Sequence, residues 1–308
     1  MIPAIAVDNL TKRYGKFTAL ENVNLTLNEH RIYGLLGRNG AGKTTLMRIL
    51  TAQEFATSGS VAVFGKAPYE NEAVLSRVCF IKESQVYPQH LRVRHALGAA
   101  ALVYPNWDER FARSLLEDFQ LPADRLVKKL SRGMLSALGI IIGLASRAPL
   151  TFFDEPYLGL DAVARQLFYD RLLTDFSEHP RTVVLSTHLI DEVSALIEHV
   201  LLIDRGRIVL DDEVEAVRGQ LLTVSGASRA VDEFAAAGTE LHRTTLNGTA
   251  RVTLRGAFVP ADHDRARSLG LRVEAESLQE LVVRLTASPR RPADAETAGD
   301  SPEKEILR

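Results

Sequence analysis

An α/β fold carrying a small α+β unit is predicted by three observations. Residues 31–36 (RIYGLL) form a short apolar strand that enters a glycine-rich loop at 37–44, and helical spacing follows through 45–50. The apolar runs 150–153 (LTFF) and 182–186 (TVVLS) have the character of parallel strands buried on both faces. Beyond Gly219 the pattern changes to short alternating strands and short helices.

The elements follow in order. Ile5, Val7 and Leu10 lead to a turn at Tyr14-Gly15-Lys16, and Leu20, Val23, Leu25 and Leu27 then recur with mostly period-two spacing. This predicts two antiparallel strands near one edge. Residues 57–66 and 77–82 predict two further strands. Residues 93–144 are mainly helical, with Leu97, Ala101 and Leu102 in one helix and Phe111, Leu115, Leu116 and Phe119 in the next. They predict a helical subdomain, about 90–145, inserted into the sheet. A helix over 162–176, the strand 182–186, a helix over 190–197 and the strand 200–204 follow, with a hairpin turn at Arg205-Gly206 before 207–210. The C-terminal unit, 220–287, reads as a strand at 221–224, a helix at 227–237, and a hairpin at 241–254 about Asn247-Gly248. A helix at 262–269 and a strand at 271–275 come next, and Ser277 caps a last helix with Glu280 as its capping-box partner. Residues 288–308 carry three prolines and no apolar period, the composition of a disordered tail.

Composition narrows the function classes. The chain has 308 residues, a length for roughly two domains. Its net charge of −2 provides no global field for nucleic acid. The single cysteine, Cys79, excludes a disulfide framework and a cysteine-cluster metal site. His90 and His95 are five residues apart, outside the i,i+4 relation of a helical metal site. Residues 1–10 are interrupted by Asp8 and Asn9 and do not read as a targeting segment. The low-charge stretch 133–146, bracketed by Arg132 and Arg147, is shorter than the roughly 20 residues of a membrane span and reads as a buried helix.

Chemistry concentrates at three places. Residues 37–44 match G-x-x-x-x-G-K-[ST], in which backbone amides and the following helix end cradle phosphate. Candidate contacts to a nucleotide are Gly37, Asn39, Gly40, Gly42, Lys43, Thr44 and Thr45. Lys43 suits the β- and γ-phosphates, and the Thr44 hydroxyl suits Mg²⁺. Asp154 and Glu155 directly follow an apolar strand. Such a pair is often a plain helix cap; with the phosphate loop upstream, Asp154 suits the metal and Glu155 the attacking water. His188 follows the strand 182–186, where an imidazole either faces the ligand crevice or caps a helix.

These residues resemble the nucleotide-binding subunit of an ATP-binding cassette (ABC) transporter over about residues 4–215. Leu130-Ser131-Arg132-Gly133-Met134 is similar to the family's Leu-Ser-Gly-Gly-Gln signature, and residues 154–161 (DEPYLGLD) look like the Walker B end running into the D-loop. The resemblance implies a P-loop NTPase of ABC type, with an antiparallel β subdomain and the inserted helical subdomain. It implies ATP and Mg²⁺ as cofactors and Mg²⁺-dependent hydrolysis. It also implies a homodimer or heterodimer of ATPase subunits, separate membrane permease subunits, and a place at the cytoplasmic face of the membrane. Tyr14 would stack on adenine, Glu155 would be the catalytic base and His188 the switch histidine. Ser131 and Gly133 would reach ATP held by the opposite subunit, and Asp161 would cross the interface. Residues 277–281 (SLQEL) resemble the exporter-like branch that includes drug and antibiotic-peptide systems. Arg132 and Met134 depart from the signature. Glu83 falls at the Q-loop glutamine position as a metal-side residue, with Gln85 two residues later as the alternative. A regulatory nucleotide-binding protein with little turnover, or a soluble ABC ATPase outside transport, are the competing readings. A second phosphate loop and a coiled-coil insertion, marks of the latter, are missing from the sequence.

Overall fold

The computed structural model describes residues 2–282 apart from 84, 220, 237, 257, 275–277 and 281. The expected cap Ser277 and the tail 288–308 lie outside the described residues. The chain begins with β1 (Ile5–Tyr14), β2 (Phe17–Leu27), β3 (Ile32–Leu36), α1 (Lys43–Leu50) and β4 (Ser58–Val63). Next come α2 (Glu72–Leu75), β5 (Val78–Lys82), α3 (Val93–Val103), α4 (Glu109–Asp118) and α5 (Arg132–Ala145). The sheet resumes with β6 (Leu150–Asp154), α6 (Ala162–Glu178), β7 (Thr182–Thr187), α7 (Ile190–Val193), β8 (His199–Asp204) and β9 (Arg207–Glu213). After α8 (Val214–Gly219) come β10 (Leu221–Ala227), α9 (Ser228–Ala235), β11 (Thr239–Leu246), β12 (Thr249–Arg255), α10 (Pro260–Ser268) and β13 (Arg272–Glu274).

Among the described residues the strands form three sheets. The central one has the order β5-β6-β7-β3-β8-β9, with the first five strands parallel and β9 antiparallel to β8. Each of its inner strands feeds alternate side chains to two cores. Ile32, Leu36, Phe153, Val183 and Leu185 face the helices, whereas Tyr33, Leu35, Phe152 and Val184 face α1 and the antiparallel sheet. That period-two division explains why these strands read as unbroken apolar runs. The antiparallel sheet has the order β2-β1-β4, so the strand expected at 57–66 pairs with β1. The third sheet, β11-β12-β10-β13, has its own core around Val224, Val252, Leu254 and Phe234. Leu278 and Val282, which follow that sheet, pack with the first core instead, and the amide of Gln279 donates to Asp191 Oδ1 at 3.4 Å.

The apolar stretch flagged in the sequence is α5. Its residues 137–145 are all buried among protein side chains. Among the described residues no helix is long and apolar enough to cross a membrane. Gly139 and Gly143, one turn apart, let α5 lie close over β5 and β6: a Cβ at Gly143 would sit 2.4 Å from Phe153 Cε1. Cys79 lies on β5 with no exposed surface, and burial pushes its thiol up to about 11.

Two expectations shift. The helix expected over 190–197 is only Ile190–Val193, followed by turns. The strand expected to end at 210 continues to Glu213, because its acidic residues are paired along an edge. Asp211 accepts from His199 Nε2 at 2.6 Å, and Glu213 pairs with Arg31. Polar composition hid a strand whose charges are satisfied by neighbours.

Candidate functional site

Because β5, β6, β7, β3 and β8 are parallel, their carboxyl ends share one edge of the sheet, the side where such folds bind ligands. β3 delivers the loop from Gly37, β6 delivers Asp154 and Glu155, β7 delivers His188, and β5 delivers Glu83. A cleft of about 670 Å³ lies there. Its walls include Tyr14, Asn39, Gly40, Gly42, Lys43, Thr44, Thr45, Glu83, Asp154, Glu155 and His188, all anticipated from sequence. The size is within the usual range for small-molecule sites.

The loop closes on its own helix. Gly37, expected as a nucleotide contact, does not line the cleft; a Cβ there would come within 2.3 Å of the Ile203 carbonyl. Gly42 is left-handed at φ 115° and precedes α1 without a side-chain cap, so the helix end is open to the cleft. Lys43 is buried, and its Nζ donates to the Gly37 carbonyl at 2.7 Å and the Arg38 carbonyl at 3.3 Å. The same Nζ stands 3.6 Å from Glu155 Oε1.

Thr44 Oγ1 donates to Asp154 Oδ2 at 2.6 Å. Burial pushes the Asp154 carboxyl up from its ordinary value, while the Thr44 hydrogen bond pulls the other way. A hydroxyl facing a buried carboxylate is an oxygen-only pair of the kind Mg²⁺ takes alongside phosphate oxygens. The donor set therefore fits that ion. Among the described residues no group of three or more His, Cys, Asp and Glu side chains is placed to hold a metal by itself.

Glu155 adopts φ 51°, a left-handed conformation that a non-glycine residue holds at a cost of order 1–3 kcal/mol. The turn swings its carboxylate off the strand toward Lys43 on one oxygen and His188 on the other. His188 Nδ1 lies 2.6 Å from Glu155 Oε2. A donating Nδ1–H leaves Nε2 free, and the ring is 42% exposed on the cleft wall. Tyr157 was quoted in the motif but given no role. It is buried, its hydroxyl donates to Glu155 Oε2 at 2.8 Å, and burial raises its phenol, which therefore stays protonated at neutral pH.

Tyr14 is half exposed at the mouth of the cleft, with its hydroxyl bonded to Glu54 and Lys12 Nζ 4.8 Å from its ring centroid. Phe17, 62% exposed, lines the same mouth and escaped notice in the sequence. Its signal was a large apolar residue directly after a Gly-Lys turn. Ser131 and Gly133 do not line the cleft. Ser131 caps α5, accepting from the Met134 amide at 3.2 Å, and a Cβ on Gly133 would meet the Gly159 carbonyl at 2.5 Å. Asp161 likewise caps α6, accepting from the Ala164 amide at 2.8 Å. Of the two Q-loop candidates, Glu83 lines the cleft and Gln85 lines a separate apolar groove with Phe80, Tyr87 and Tyr104.

Comparison with known proteins gives the arrangement a family. An ABC transporter family model matches residues 20–158, the span from β2 through the phosphate loop and the signature to the turn after β6. The bacitracin transport ATP-binding protein BcrA of Bacillus licheniformis is 32% identical over 212 residues, covering 68% of this chain and 69% of that protein. The lantibiotic transport ATP-binding protein SrtF of Streptococcus pyogenes is 30% identical over 234 residues, covering 68% of this chain and 91% of that protein. The chain belongs to the ATP-binding subunits of ABC transporters. A solved ATP-binding subunit of an ABC transporter superposes with a TM-score of 0.65 at 24% identity, covering 70% of this chain and 92% of that one, so the fold is shared.

Within this ABC subunit two of the three residues that departed from the expected pattern, Arg132 and Glu83, meet. Arg132 forms an ion pair with Glu83, and the Arg132 stem lies along Gly159. Both side chains are more than one-third exposed, so the pair contributes at most about 1 kcal/mol. Arg132→Glu is expected to lose that coupling by repulsion from Glu83, and the reversed pair Arg132→Glu with Glu83→Arg should regain it. A double-mutant cycle on urea unfolding reads it; zero coupling would mean the two residues act independently.

Proposed function

We propose that this ABC subunit hydrolyses ATP in a Mg²⁺-dependent reaction and powers separate membrane permease subunits from the cytoplasmic face of the membrane. The observation that carries the reading is the convergence of Lys43, the Thr44–Asp154 pair and the Glu155–His188 pair at one sheet edge. Lys43 binds the β- and γ-phosphates. Thr44 and Asp154 would hold Mg²⁺, which when bound polarises phosphate oxygens and offsets their charge. Glu155 Oε1 accepts the proton of the attacking water, and His188 presents Nε2 toward the γ-phosphate. Tyr14 stacks on the base.

Two subunits, identical or related, pair face to face in this reading. Ser131 then serves twice: its hydroxyl caps α5 and, with the amide of Gly133, approaches ATP held by the other subunit. Glu83 belongs to the metal side of the site. Residues 1–215 form the ATPase unit and 220–287 an accessory unit. The relatives named for bacitracin and lantibiotic transport support a cargo of the antibiotic-peptide class moved outward.

Phosphate release by the purified chain tests the reading. Turnover in Mg²⁺ is expected to exceed that in excess EDTA by about 100-fold, the effect of removing several kcal/mol of transition-state stabilisation. Equal rates in the two buffers would overturn it.

A further inference from the structure

Tyr157 occupies a position that the reaction above does not use. It lies behind the cleft wall, buried, between the end of β6 and the end of β7. Neighbouring Glu155 and Leu158 line the cleft, and Tyr157 does not. Its hydroxyl is nevertheless the most connected polar atom behind the site. It donates to Glu155 Oε2 at 2.8 Å, accepts from the backbone amide of His188 at 3.2 Å, and lies 2.8 Å from Thr187 Oγ1 and 3.3 Å from His188 Nδ1. Thr187 Oγ1 in turn accepts from the Leu189 amide at 2.9 Å, which leaves its own proton for the tyrosine. A phenol has one proton to give; with that proton on the Glu155 carboxylate, the His188 amide and the Thr187 hydroxyl lie on its acceptor side. The ring stands edge-on to the His188 imidazole, centroids 5.9 Å apart.

The consequence falls on Glu155. Its backbone is left-handed, and strained conformations persist only where the surroundings hold them. Tyr157 and His188 both bond Oε2, so that oxygen is occupied twice. Oε1 is left facing Lys43 and the cleft. The two carboxylate oxygens are thereby made unequal, one anchored and one available.

We propose that Tyr157 is a positioning residue: its hydroxyl ties Glu155 Oε2 to the end of β7, so that Glu155 Oε1 and His188 are presented to the nucleotide in one fixed arrangement. The proposal rests on the reading of Glu155 as the base. Tyr157 does not line the cleft and acts through Glu155 and His188.

Tyr157→Phe removes the hydroxyl and keeps the ring. Steady-state hydrolysis is expected to show kcat lowered by about tenfold to hundredfold, the cost of a displaced catalytic group. KM for ATP should stay within about twofold, because uniform binding is untouched. The same substitution in a Glu155→Gln background, followed by single-turnover hydrolysis of radiolabelled ATP, should cost nothing further. Wild-type kcat in Tyr157→Phe alongside an inactive Glu155→Gln would overturn the positioning role and leave the functional reading standing. An equal loss in both backgrounds would also overturn it, since the effect would then not pass through Glu155. Full activity in Glu155→Gln would sink the functional reading itself, and the proposal with it. Should Tyr157→Phe fail to fold, Thr187→Val strips the anchor from the intact tyrosine. A kcat loss of about threefold to tenfold is then expected, the worth of one neutral hydrogen bond, and unchanged kcat would count against the proposal.

Discussion

Glu155→Gln is expected to cut ATP turnover by a factor of about 100 to 10,000, the usual contribution of a positioned general base, while nucleotide binding survives. The substitution preserves size, so the left-handed turn and the packing on β7 remain. It changes the chemistry at one atom. An amide oxygen can still accept from Tyr157 and His188 at the Oε2 position, which then places the NH₂ group at the Oε1 position, 3.6 Å from the Lys43 ammonium in the native chain. That group cannot take a proton from water. Loaded with ATP and unable to discharge it, the variant should accumulate as a dimer, visible by light scattering as a doubling of mass on ATP addition. Native-like turnover in this variant would remove Glu155 from the mechanism.

Gly143→Val is expected to destabilise the fold at the contact between α5 and the central sheet. Two effects oppose each other. Replacing a helical glycine by β-branched valine gains only about 0.3–0.5 kcal/mol in propensity. Against this, the first added carbon falls 2.4 Å from Phe153 Cε1, 2.7 Å from Cζ and 2.9 Å from Ile81 Cγ1, on a ring with no exposed surface. Overpacking of that kind costs about 1–3 kcal/mol, and it forces α5 away from β5 and β6. The net is destabilising, read as a lower urea midpoint. Gly98 in α3 is the control. A Cβ there meets nothing within 4 Å, so Gly98→Ala should stabilise by about 0.5–1 kcal/mol. A Gly143→Val midpoint at or above that of the native chain would show that the helix-to-sheet contact is looser than its geometry.

The parts of the molecule that could be read from sequence are those where one physical rule dominates. Residues 150–153 and 182–186 had to be central strands because both faces of the sheet are covered. The phosphate loop announces itself because glycines, a lysine and a hydroxyl must stand at fixed steps. Residues 207–213 were shortened because acidic residues on an edge look like a turn until His199 and Arg31 are found beside them. Tyr157 carried no signal, since its importance comes from Thr187 and His188, thirty residues away along the chain. The same holds for Arg132 and Glu83. Each looked like an isolated departure from the family pattern, and their pairing becomes visible only when β5 and the start of α5 are set side by side. Ser131 and Asp161 were anticipated for contacts with another subunit, and each has a local duty as a helix cap that spacing alone did not reveal.

The sealed thiol of Cys79 makes this protein a quiet background for optical probes. With one cysteine in the whole chain, fully enclosed and held protonated well above neutral pH, a maleimide dye should find nothing to react with in the native protein. A single cysteine engineered at an exposed position such as Leu102 or Val163 would then take the label alone. Two subunits labelled at the same position would report their mutual approach by energy transfer, without any native residue having first been removed.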